Sequence, residues 1–225
     1  FRDLMGFQVA RARGYFQEAE PLYKRALAIR EKQYGRDHPL VAESLDNLAN
    51  LSRDQGKFGE AEPLYVRALS IREKTLDPDN PATNASLNNL AGFFMEQGKY
   101  AEAESLHKKA LALAEKISGP EHPNTAINLN NLAMLYQKQG KFADAELLFK
   151  RSLAIREKVF GPDHPGTGAG LNNLAILYAD QGKYRDAEPL VRRALEIEEK
   201  ALGPDHPHVA DTLSTLAIIF LNQGK

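Results

Sequence analysis

The chain has 225 residues, 43% hydrophobic and 26% charged, with a net charge of −1, so it is long enough for a continuous core. Lys and Arg total 29 against 30 acidic residues, which argues against a basic nucleic-acid-binding stripe. There is no cysteine, which removes disulfides and thiolate metal sites and is compatible with a reducing cytoplasm; no signal peptide is visible, and no apolar run nears the ~18–20 residues of a membrane span.

Residues 1–13 stand where the first helix of a pair belongs but fit it poorly. Asp3 and Gly6 hold the places taken by Leu129 and Leu132 in the central copy, so this segment reads as a degenerate or truncated helix. A good amphipathic helix is expected from Phe16 to about Gln33. From there the chain repeats. Gly14, Gly56, Gly98, Gly140, Gly182 and Gly224 fall 42 residues apart, as do Pro39, Pro81, Pro123, Pro165 and Pro207. A constant period of this length marks stacked supersecondary units. Full units are expected over 39–80, 81–122, 123–164 and 165–206, with residues 14–38 the second helix of a first unit. Residues 207–225 hold the first helix of a further unit, from about Pro207 to Asn222. No Pro/Gly/Ser-rich linker interrupts the period, so 1–225 reads as one domain. A start at Phe1 and a stop at Lys225, inside a turn, read as a fragment of a longer protein.

The unit from Pro123 to Pro165 shows the plan. Ile127, Leu129, Leu132, Ala133, Leu135 and Tyr136 recur at helical spacings, predicting a helix A from Pro123 to about Gln139. His122 sits at its cap position and Pro123 at its first turn, where a missing N–H costs nothing. Gly140 can take the left-handed conformation that ends it. Phe142, Ala145, Leu148, Phe149, Leu153 and Ile155 predict a helix B from Phe142 to about Val159, closed by Gly161-Pro162. Ala133, Ala145 and Ser152 are small where the two helices must meet, as are Ala49, Ala61, Ala68, Ala175, Ala187 and Ala194 in other copies. Pro21, Pro63 and Pro189 read as markers of a helix B start. The last helix A leaves Leu213, Leu216, Ala217 and Phe220 without a helix B to cover them.

Leu129, Leu132, Ala133 and Tyr136, followed by Gly140, Phe142, Ala145, Phe149 and Ser152, resemble the tetratricopeptide repeat, with Ser152 where the family usually has Ala. The 42-residue length and the segments LNNLA, QGKY, EAEPLY, RALAIREK and GPDHP are similar to the kinesin light chain branch, which includes bacterial and nephrocystin-like arrays. The resemblance covers residues 14–225. It implies an all-α, right-handed α-α superhelix in which helix A lines the concave face and helix B faces outward. It implies a non-enzymatic scaffold for protein–protein interaction.

Chemistry elsewhere in the chain reads as structural. His38, His122, His164 and His206 precede the repeated prolines, with Asn80 in one copy; one helix-pair layer apart, they cannot share an ion and are expected to cap helices. His107 and His208 are isolated. Glu18-Ala-Glu20, Glu60-Ala-Glu62 and Glu102-Ala-Glu104 recur in the first turns of helix B, where they complement the helix dipole. No catalytic triad, GxGxxG or Walker loop appears, and no cofactor or metal is implied. The basic runs on helix B are interleaved with acids, so no nucleic-acid partner is expected.

The candidate site is one face of helix A. It reads Ala85, Asn88, Gly92, Met95, then Ile127, Asn130, Met134, Gln137, then Ala169, Asn172, Ile176, Ala179. Its flanks read Glu43, Asp46, Asn50, Arg53 and Asp211, Ser214, Ile218, Leu221. Asparagine is a mediocre helix former, so Asn88, Asn130 and Asn172 recurring mid-helix ask for a reason. An amide can both donate to and accept from an extended peptide backbone. In kinesin light chains the corresponding asparagines contribute to the cargo groove, which the resemblance carries to these three positions. The alternative is that they are inter-repeat glue, the role expected of Asn89, Asn131 and Asn173 through bonds to neighbouring backbone. Grooves for acidic peptides carry several Lys or Arg residues; here the same line is Arg53, Met95, Gln137, Ala179 and Leu221, which favours an apolar or mixed protein or peptide segment. Two further readings stand beside this one: a cytoskeletal accessory binding a tubulin-type filament or self-associating through the exposed C-terminal helix, and a sensor module of a larger signalling protein. A cytoplasmic location is expected.

Overall fold

The computed structural model describes the backbone of residues 2–223 and the side chains of residues 15–223. Every element in it is an α-helix: α1 (Arg2–Tyr34), α2 (Pro39–Asp54), α3 (Phe58–Thr75), α4 (Pro81–Glu96), α5 (Tyr100–Ser118), α6 (Pro123–Lys138), α7 (Phe142–Phe160), α8 (Pro165–Asp180), α9 (Tyr184–Leu202) and α10 (Pro207–Gln223). The even-numbered helices are the A helices of the sequence pattern and α3, α5, α7 and α9 the B helices. The chain divides within α5 into two compact units, Phe1–Leu106 and His107–Lys225. In the first, α1 packs on α2, α2 on α3 and α3 on α4; in the second, α6 to α10 pack each on the next.

The helix boundaries follow from local chemistry. His38, His122, His164 and His206 each accept, through Nδ1, the backbone N–H two residues on, at 3.0–3.2 Å; Asn80 does the same through Oδ1 at 2.9 Å. The repeated histidines are thus helix caps, and asparagine substitutes because its side-chain oxygen fills the same role. The A helices end in a six-to-one bond: Lys57, Lys99, Lys141 and Lys183 donate their N–H to the carbonyls of Ser52, Phe94, Tyr136 and Tyr178 at 2.8–2.9 Å. The glycine before each lysine makes that closure possible, as with Gly140 at φ 72°.

One expected boundary is missing. Instead of a break at Gly14, α1 runs unbroken from Arg2 to Tyr34, which puts Pro21 inside a long helix rather than near a start. A glycine permits a reversal but does not drive one. The drive is burial of helix A against helix B, and the sequence supplies Asp3 and Gly6 where the leucines would be. The side chains at those two positions lie outside the described residues.

The core is built from the expected positions. In the second unit Ala133, Ala145, Phe149, Leu153, Leu171, Leu174 and Ala194 form one buried cluster, and Leu132 is buried as well, so the helical register holds. In the first, Val41, Ala42 and Leu45 of α2 meet Ala68 and Ile71 of α3, with Leu27 and Leu64 packed against them. Polar ties then join successive pairs. Arg30 donates to Leu40 O at 2.9 Å, Arg156 donates to Gly166 O at 3.0 Å, and Glu198 accepts from Thr212 at 2.7 Å, all from one repeated position near the end of helix B. The second acid of the Glu-x-Glu pattern has a similar use beyond the helix dipole. Glu20 binds Lys24 and Lys57, which with Gln55 hold its carboxyl down at about 2, and Glu62 binds Lys99 at 2.7 Å.

His107 proves to be a core residue. Its slot in the period is held by Tyr65, Phe149 and Val191, all buried. Burial pushes the His107 imidazole down to about 4. The unfolded chain therefore binds a proton between about pH 6.5 and 4 that the folded chain refuses, so this contribution to stability is intact above pH 6.5 and falls away on acidification. It amounts to roughly 3 kcal/mol. His107→Phe should unfold cooperatively and lose that part of the loss between pH 7 and 4, measured by urea denaturation across the range. Gly140→Val should destabilise by about 1–2 kcal/mol through the left-handed backbone alone, since a Cβ there meets nothing within 4 Å; urea denaturation at pH 7 checks it.

Candidate protein-binding face

The face singled out on the A helices is the one turned away from the core. In the second unit Ile127 and Met134 of α6 and Asp211, Ser214, Ile218 and Leu221 of α10 are exposed; Asn130, Gln137, Asn172 and Ile176 are half-buried. In the first unit Asn50, Arg53, Asn88 and Met95 are half-buried. Asp46 departs from the pattern. It is buried and bound by Arg72 of α3, which also binds Ser86 of α4. Burial raises the Asp46 carboxyl above its usual pKa even beside that guanidinium. Asp46 is therefore a tie between helix pairs, not a contact for a partner. The periodicity puts it on the right side of the helix, but an arginine 26 residues away reaches over and closes it off.

The three asparagines do three different things. Asn88 turns back on its own helix, donating to Asn84 O at 3.1 Å and Asn84 Oδ1 at 3.0 Å. Asn130 donates weakly to Met134 Sδ at 3.5 Å and accepts from Asn173 of α8 at 2.8 Å. Asn172 buries an Oδ1 that has no hydrogen-bond donor. The expected division of labour is thus exchanged in part. Asn173 does reach the neighbouring repeat, but it finds the Asn130 side chain and not backbone, so Asn130 itself is drawn into inter-repeat bonding.

In the second unit the face forms a definite cleft. Met134, Gln137, Lys138, Phe149, Asn173, Ile176 and Asp180 enclose about 220 Å³ between α6 and α8. Met134, Ile176 and Phe149 make it apolar. Two side-chain bridges between the helices close its ends, Asn173 to Asn130 and Gln137 to Asp180, the latter at 2.6 Å. Seven helical residues separate Asn130 from Gln137, about 10 Å, enough for about three residues of extended chain at ~3.3 Å each. Lys138 and Asp180 put one charge of each sign among its lining residues.

Met134, Gln137 and Ile176 of the predicted face line the cleft; Lys138, Phe149, Asn173 and Asp180 were not anticipated there. A signal for two of these exists: both bridges join residues 43 apart, one period and one residue, and Arg53 meets Glu96 at 4.0 Å with the same spacing. Arg53 also binds Asp54, so the one cation of the predicted line is held between two carboxylates. Among the described residues no group of three or more His, Cys, Asp or Glu side chains is placed to hold a metal ion, and no helix is long and apolar enough to cross a membrane.

Comparison with known proteins agrees with this architecture. The family model for the tetratricopeptide repeat matches residues 8–74, 82–158, 148–200 and 170–225. No curated protein matches. Among solved structures, BtubC (BKLC) from P. vanneervenii superposes with a TM-score of 0.78 at 23% identity, over 93% of this chain and 84% of that one, a likeness of fold. A Podospora anserina protein described as a kinesin light chain with nearly identical TPR-like repeats superposes at 0.71, with 28% identity over 90% of this chain and 98% of that one; its Q17M variant gives 0.72, with 29% identity over 87% and 95%. With an all-α fold of repeated helix pairs, this chain belongs to the tetratricopeptide repeat family and is of the kinesin light chain-like kind.

Proposed function

We propose that the chain is a non-enzymatic protein-binding module that holds an extended segment of a partner protein along the exposed face of α6 and α8. The observation that supports this is the cleft at Met134, Phe149 and Ile176, apolar along its length and bridged by amide and carboxylate groups at its ends. Methionine suits such a site because its flexible, polarizable side chain adapts to irregular apolar groups. A segment of about three residues would place one or two apolar side chains in the cleft. Its backbone would meet the amide groups of Asn130, Asn173 and Gln137, which accept and donate without reading side-chain identity. The lining carries Lys138 and Asp180 together, so the segment is of mixed or neutral charge.

Peptide libraries displayed on phage and selected on the wild-type chain test this reading. Selected peptides should be apolar or mixed, and a Met134→Asp, Ile176→Asp double variant should bind them about 10–100-fold more weakly, a loss of about 1.4–2.8 kcal/mol. Asn88→Ala should leave binding unchanged, because Asn88 sits on α4 and does not line the cleft. Equal binding by wild type and the double variant, with circular dichroism showing both folded, would place the partner elsewhere.

A further inference from the structure

The turns that lead into α6 and α8 share one frame. Gly119 and Gly161 hold φ at 94° and 92°. Each donates its N–H to the carbonyl of a glutamate four residues back, Glu115 or Glu157, at 3.0 Å. Each accepts at its own carbonyl the hydroxyl of a threonine on the next helix, Thr125 at 2.7 Å and Thr167 at 2.8 Å. His122 and His164 then cap their helices in the same way. What differs is the residue before the glycine, Ser118 in one turn and Phe160 in the other. Down the period this slot reads Tyr34, Leu76, Ser118, Phe160 and Leu202, so serine is its one polar member.

The slot decides what covers the capping ring. Phe160 stacks on His164 with ring centroids 4.7 Å apart and planes 22° apart. Tyr34 stacks on His38 at 4.8 Å and 24°. His206 meets the edge of His208 at 5.0 Å, and the remaining cap, Asn80, has no ring to cover. Among the described residues, His122 is the one capping histidine that meets no other ring. The space beside it is a hollow of about 540 Å³, lined by Ser118, Pro120, His122, Pro123 and Val159 among others. Val159 is 47% exposed and gives the hollow an aliphatic side. The cap bond also fixes the imidazole: Nδ1 accepts the N–H of Asn124 at 3.1 Å, which leaves the proton of the neutral ring on Nε2.

We infer that this hollow takes an aromatic side chain, phenylalanine or tyrosine, from a partner protein, laid on His122 as Phe160 lies on His164. The molecule itself supplies the argument for that occupant. In the same frame, one repeat on, the place is filled by a phenylalanine, and beside His38 by a tyrosine. Rings at such separations attract beyond the area they bury, and an aromatic anchor in a preformed hollow is a common centre of a protein interface. The site is separate from the cleft. Met134 lies eleven residues along α6 from Pro123, about 16 Å.

NMR titration of the whole chain with the blocked tripeptides Gly-Phe-Gly and Gly-Leu-Gly tests this, read at the imidazole protons of His122 and the methyls of Val159 and Met134. The phenylalanine peptide should move the His122 and Val159 signals upfield through its ring current, and the leucine peptide should not. Ser118→Phe provides the ring from the chain itself and should abolish those shifts, while Ser118→Ala should keep them. His122→Asn retains the cap, as Asn80 does on α4, and should weaken binding about 2–10-fold, the worth of one aromatic stack. An absence of shifts at His122, equal shifts from both peptides, or shifts confined to Met134 overturns the inference. So does undiminished binding by a folded Ser118→Phe chain. The Met134 methyl reports separately on the cleft, so failure at one site is not read as failure at the other.

Discussion

Everything in this architecture depends on how closely two helices can approach. Ala133 and Ala145 bury completely in the second unit, as do Ala175, Ala187 and Ala194; Ala49, Ala61 and Ala68 do so in the first. With no side chain beyond Cβ at these crossings, neighbouring helices can sit at the close end of the ~8–10 Å packing range. The larger residues on either side, such as Leu132, Phe149 and Leu174, then interdigitate in the flanking grooves. Once the alanine stripe of an A helix is fixed inward, the 3.6-residue repeat leaves no choice about what faces out. Ile127, Asn130, Met134 and Gln137 follow from it, and so does the cleft between α6 and α8.

The same constraint explains why the exposed face is not a row of equivalent binding groups. Polar side chains near the inter-pair crossings are recruited to hold one pair on the next. Asp46 is taken by Arg72, Asn130 by Asn173 and Gln137 by Asp180. What remains for a partner is the apolar strip between such bridges, with the amide donors and acceptors that the bridges leave over. On the proposed function, specificity would be set less by the repeated asparagines than by the residue at each variable position, methionine on α6 and isoleucine on α8.

Much of the fold was legible because it is written in residues whose effect is local. A proline after a capping histidine starts a helix, a glycine after glutamine ends one, and both act within a single turn. Gly14 shows the limit: the turn signal was present, but the leucines needed to draw the preceding helix back were not. His107 was passed over because a lone histidine carries no pattern; only its alignment with Tyr65, Phe149 and Val191 betrays a core slot. The site was legible as a face and not as a set of contacts. Its bridges depend on which side chains meet across a packed interface, and a one-residue offset from the period, as between Asn130 and Asn173, is hard to foresee without coordinates.

The alanine crossing itself can be tested with a matched pair of substitutions on α7, where Ala145 is buried at the crossing and Ala143, two residues earlier, is exposed. Thermal and urea unfolding of Ala145→Leu and Ala143→Leu should separate them clearly. Ala145→Leu should lose about 1–3 kcal/mol or more from overpacking, and Ala143→Leu should stay within about 0.5 kcal/mol of the parent chain. Equal stability for the two would contradict the claim that close helix approach at these positions holds the structure together.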